Sequence, residues 1–100
     1  MFRFQTSGQA KNDKLGEAIL FAREVAEYIN NKYPVASVQV YSEVFEDFNN
    51  VYWYSDYEDL ATIERFRSQL RSDQGYWAIV FKGMEYFTEK SFRDTLMSSV

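Results

Sequence analysis

Apolar and polar positions alternate from the first residues, with Phe2 and Phe4 on one side and Arg3 and Gln5 on the other, so a short strand is predicted over residues 1–6. Residues 7–12 are polar and read as a loop. Leu15, Ala18, Ile19, Ala22, Ala26 and Ile29 then recur at helical spacing opposite Glu17, Glu24 and Glu27. A helix is expected from an Asp13 N-cap to about residue 31, because Pro34 disfavours helical geometry at Tyr33. Residues 36–46 and 50–56 read as the two strands of a hairpin. Period two puts Val38, Val40, Val44, Val51 and Trp53 on one face of it, and Gln39, Tyr41, Glu43, Phe45, Tyr52 and Tyr54 on the other. A second helix follows, opened by Ser55 and Glu58 at capping-box spacing and carrying Leu60, Ile63, Phe66 and Leu70. It breaks at Ser72 and Asp73. Residues 76–87 conflict internally: the run from Tyr76 to Phe81 has strand propensity, yet Tyr76, Ile79, Val80, Gly83 and Phe87 form one helical stripe. The stripe predicts a helix, and residues 91–100 then supply the last strand, with Phe92 and Leu96 alternating against Arg93, Thr95 and Met97.

This order gives an α+β fold, a ferredoxin-like split β-α-β sandwich whose antiparallel sheet carries its helices on one face. One hundred residues are enough for one domain with one core, expected to span 1–100. The other face of the sheet would expose Tyr41, Phe45, Tyr52 and Tyr54, an aromatic patch for which a second copy of the sheet is the natural cover. The 19% aromatic content agrees with a core or interface built from large flat side chains.

Two short segments carry a family resemblance. The helix break Leu70-Arg71-Ser72-Asp73-Gln74-Gly75-Tyr76 and the polar-aromatic run Tyr86-Phe87-Thr88-Glu89-Lys90-Ser91, together with the order of elements, resemble the dimeric α+β barrel superfamily. That superfamily includes antibiotic-biosynthesis-type monooxygenases and NIPSNAP-like proteins. The resemblance implies a homodimer whose two sheets close a barrel, and a small-molecule cleft between sheet and helices. It carries no reaction, because the superfamily hosts unrelated chemistries. Its haem-degrading, haem-dependent and several isomerase and dismutase members rely on histidine, which this chain lacks. No catalytic residue is carried over.

Composition narrows the chemistry further. With no Cys and no His, the chain has no thiolate, no disulfide and neither of the commonest transition-metal ligands, so no metal and no cofactor is expected. A net charge of -4 with scattered basic residues argues against nucleic acid as a partner. No run of about twenty apolar residues is present, and the first residues lack a signal-peptide pattern, so no membrane partner and a cytoplasmic location are expected.

The candidate ligand-binding residues are Trp53, Trp77, Tyr52, Tyr54 and Glu43. Aromatic faces with phenolic hydroxyls suit a small aromatic ligand, and a buried Glu43 is a candidate base. The plainer account places Trp53 in the core, the tyrosines at an interface, and Glu43 in an ion pair with Arg3 or Arg93. Three functions stay open on the sequence: a small-molecule-binding homodimer without catalysis, a cofactor-independent monooxygenase or isomerase acting on an aromatic compound, and a structural or regulatory interaction module.

Overall fold

The computed structural model describes Met1–Val100. Its elements run β1 (Phe2–Gln9), α1 (Leu15–Lys32), β2 (Gln39–Ser42), β3 (Asn50–Tyr57), α2 (Leu60–Arg71), α3 (Gln74–Gly83), a 3-10 turn (Met84–Tyr86) and β4 (Arg93–Ser98). The four strands form one antiparallel sheet in the order β2-β3-β1-β4, the ferredoxin-like arrangement. Phe2, Phe4, Val51, Trp53 and Tyr57 point toward the helices, as the alternation predicts for the first four of them.

Strand β1 extends past Thr6 to Gln9, where a loop was expected. Gly8 pairs with Val51, and its missing side chain makes room for two rings: a Cβ there would sit 2.8 Å from Phe92 and 3.1 Å from Phe87. The glycine that resembles a strand terminator in sequence is a packing residue.

Helix α1 buries Ala18, Phe21, Ala22, Val25, Ala26 and Ile29. The alanines bring the helix close to the sheet, and Phe21 and Val25 widen the stripe beyond the residues the spacing picked out. Leu15 and Ile19 are only half-buried. Asp13 makes no cap; the helix begins after Lys14 without a side-chain cap.

The hairpin is shorter than its sequence pattern. The Asn30 side chain takes both backbone groups of Val38, accepting from its N–H at 2.7 Å and donating to its carbonyl at 3.0 Å, so Val38 cannot join the ladder and β2 starts at Gln39. At its other end the chain turns through Glu46, which has φ 42°, and leaves Val44 and Phe45 in solvent at 88% and 78% exposure. Val44 is therefore not a core residue, and Phe45 is not part of the sheet face.

Strand β3 runs on to Tyr57, so Ser55 belongs to the sheet and is no helix cap. Asp59 caps α2 instead, accepting from the Thr62 N–H at 2.7 Å. Helix α3 settles the ambiguous stretch as helical through Gly83. Phe87 leaves the helix and bridges to Ala10.

Candidate functional site

A cavity of about 370 Å³ lies between the inner face of the sheet and the three helices. Sixteen of its nineteen lining residues are hydrophobic, so its walls offer chiefly apolar contact. Phe4, Trp53 and Tyr57 contribute from the sheet, Phe21 and Ile29 from α1, Phe66 from α2, and Tyr76, Trp77 and Val80 from α3. The sheet residues point inward because they occupy alternate positions of paired strands.

Trp53 is held rigidly. Its indole N–H donates to the Ala22 carbonyl at 3.0 Å, and its ring packs on Phe21, Phe87 and Phe92 at centroid distances of 6.2, 6.0 and 6.5 Å. Trp77 donates to the Arg71 carbonyl at 2.9 Å and lies against Tyr76 and Phe81. Both tryptophans line the cavity, and Tyr54 touches its edge.

Tyr52 and Glu43 do not join them. They meet on the opposite face of the sheet, where the Tyr52 hydroxyl donates to the Glu43 carboxylate at 2.6 Å, and that carboxylate holds the phenol above its usual range. Glu43 is thus across the sheet from anything stacked on Trp53. Glu43 makes an ion pair with neither Arg3 nor Arg93; Arg3 pairs instead with Asp56, in two bonds of 2.8 and 3.0 Å, while lying over the Tyr54 ring. Tyr54 packs on Tyr41, which is 57% exposed.

The polar groups of the cavity are ones the sequence analysis passed over. Ser55 and Tyr57 are buried, and their hydroxyls are 2.7 Å apart. The Thr6 hydroxyl donates to Asp94 at 2.7 Å, and the Arg67 guanidinium lies over the Phe4 ring, 3.9 Å from Asp94. Burial pushes the Tyr57 and Tyr76 phenols upward, so both are protonated near neutral pH. These groups donate hydrogen bonds and are not bases. The signal for Ser55 and Tyr57 was available: the inward alternation of Val51 and Trp53 continues through both, but the strand was expected to stop at residue 56 and the capping-box spacing assigned Ser55 to the helix start.

One carboxylate fixes the helix that closes the cavity. Asp73 accepts from Tyr33 at 2.6 Å, Tyr28 at 2.8 Å and the Tyr76 N–H at 3.1 Å, with Lys32 at 3.0 Å. These bonds, that of Tyr33 foremost, hold its carboxyl well below the usual carboxylate range and tie α3 to α1. No group of three or more acidic residues is gathered as a metal site would require. No helix is long and apolar enough to cross a membrane.

No protein-family model matches the sequence, and no curated protein matches it either. Solved structures do resemble the fold. An uncharacterized NIPSNAP domain protein from Burkholderia xenovorans superposes with a TM-score of 0.82 at 14% identity, covering 100% of this chain and 95% of that one. A NIPSNAP family protein from Agrobacterium tumefaciens gives 0.79 at 15% identity, covering 99% and 92%. An antibiotic biosynthesis monooxygenase gives 0.73 at 13% identity, covering 100% and 99%. At these identities the likeness is one of fold.

Proposed function

We propose, from the ferredoxin-like fold shared with those proteins, that this chain is a homodimer that binds a small aromatic molecule in the cavity between sheet and helices. The cavity itself carries the reading. About 370 Å³ falls within the usual range for small-molecule sites, and its walls are apolar and aromatic with a few hydroxyls at one place. The homodimer rests on the outer face of the sheet, where Tyr41, Tyr52 and Tyr54 stand together with Arg3 and Met97.

Both tryptophans line the cavity, so the test is direct. Titration with naphthalene and anthracene derivatives should change tryptophan fluorescence saturably, and Val80→Trp, which fills the space, should abolish the change. Loss of the signal with every bicyclic and tricyclic compound tried would refute the reading.

A second reading is favoured by the monooxygenase among the similar structures: a cofactor-independent oxygenase acting on an electron-rich aromatic compound. The cavity groups are donors, so the compound would have to supply its own reactivity toward oxygen, with the protein contributing orientation and exclusion of water. Oxygen uptake with anthrone-like and quinol compounds distinguishes this from binding alone.

A further inference from the structure

The hydroxyls of Ser55 and Tyr57 present a hydrogen-bond account that does not close within the protein. Both residues are about 95% buried, lie on the same face of β3 two positions apart, and line the cavity. Their oxygens are 2.7 Å apart, and neither makes another hydrogen bond. Two hydroxyls carry two protons, and one bond between them uses one. Whichever residue donates, one O–H remains without an acceptor. A buried donor left in that state is unfavourable, which is why such groups nearly always find a partner.

We propose that the Ser55–Tyr57 pair is the recognition point for a carbonyl oxygen, and that the cavity takes an aromatic ketone or quinone whose rings lie on its apolar walls. This rests on the proposed binding function and names the chemical class of its ligand. The remaining polar groups point the same way. The Thr6 proton is already given to Asp94, and Arg67 stands beside the cavity with only a 3.9 Å approach to that carboxylate. The guanidinium can only donate and the hydroxyl pair has one proton free, so the site is matched to an acceptor, whereas an ammonium group, which cannot accept, would leave that proton unused and face a fixed positive charge. Burial keeps the Tyr57 phenol protonated, so the donor persists at neutral pH and above.

The test compares 2-acetylnaphthalene with 2-isopropenylnaphthalene, in which a CH₂ group replaces the oxygen, by titration calorimetry on the full chain. A cavity without a free donor would bind the ketone roughly thirtyfold or more weakly than the hydrocarbon, because the carbonyl leaves its water partners unreplaced. The expected result is that the ketone binds at least as tightly, with its infrared carbonyl stretch moved to lower frequency. The double variant Ser55→Ala, Tyr57→Phe removes both hydroxyls together and strands neither, so it should fold, and it should reduce the ketone's relative affinity about tenfold or more and restore the free carbonyl frequency. A strong wild-type preference for the hydrocarbon, or a ketone preference unchanged in the double variant, overturns the inference and leaves the cavity as a plain apolar site. Failure of both compounds to bind refutes the binding function itself, and the inference with it.

Discussion

Gly83 decides how closely α3 sits on α1, and replacing it with alanine separates two effects of known size. A Cβ at Gly83 would lie inside the Phe21 ring. Phe21 cannot swing away freely, because Trp53 and Phe87 pack edge-on against it at 6.2 and 5.8 Å. Overpacking of this kind costs about 1–3 kcal/mol. Alanine returns about 1 kcal/mol or less through its better helix propensity. Gly16, near the start of α1, provides the control, since a Cβ there meets nothing within 4 Å. Gly16→Ala should therefore stabilise by roughly 0.5–1 kcal/mol. Both substitutions share the propensity gain, so the difference between them isolates the overpacking cost. Urea unfolding followed by tryptophan fluorescence should give midpoints about 1 M apart for a slope near 1–3 kcal/mol/M, with Gly83→Ala the lower. Equal midpoints would show that Phe21 yields without cost and that α3 is not seated by this contact.

Three further outcomes are expected. In the proposed homodimer, Tyr41→Glu should leave the stability of one subunit unchanged, because Tyr41 is 57% exposed, but should lower the light-scattering mass from the expected twice 11.9 kDa toward a single copy; a wild-type monomer would refute the dimer, and a variant that stays dimeric would exclude this face as the interface. Trp53→Phe removes the indole bond to the Ala22 carbonyl, which keeps its helical partner, so the lost bond should cost about 0.5–1.5 kcal/mol in the same urea assay with the lost ring volume adding to it, and a neutral result would contradict the indole hydrogen bond. The Asp73 carboxyl is depressed in the folded state, so its stabilising contribution is complete above the unfolded value near 4 and is lost as pH falls from there toward the folded value. Asp73→Asn should lower the thermal midpoint by several degrees at neutral pH and flatten its decline in acid; an acid limb identical to wild type would refute the assignment.

The parts of the fold that were legible in sequence are those with one dominant period. Helix α1 declared itself through its apolar stripe, and the stripe at Tyr76, Ile79 and Val80 correctly outweighed strand propensity, because α3 must present a side to the cavity. Errors arose where a side chain replaced a backbone partner or a small residue served packing. Asn30 ends the ladder at Val38, Gly8 prolongs β1 under two phenylalanines, and Glu46 turns the chain before Val44 can be buried. None of these leaves a periodic trace. The same limit applies to the site: Trp53 and Trp77 stand out by residue type, and the structure brings both to one cavity. Tyr52 and Glu43 stand out equally but fall on the other side of the sheet. Ser55 and Tyr57 are inconspicuous alone and acquire meaning only from being two apart on an inward face.

The central place of β1 in the sheet has a consequence for how the protein is made. Its first strand pairs with β3 and β4, so Phe2 finds its neighbours at Tyr57 and Ser98, far along the chain. During synthesis α1 and the β2–β3 hairpin can form from nearby residues, whereas β1 must wait until β4 has been made for its second partner. Phe4 and Thr6 of that strand belong to the cavity wall. A molecule that fits the cavity therefore has nothing complete to bind until β1 and β4 have met, and in excess it would draw newly made chains past that late step by mass action.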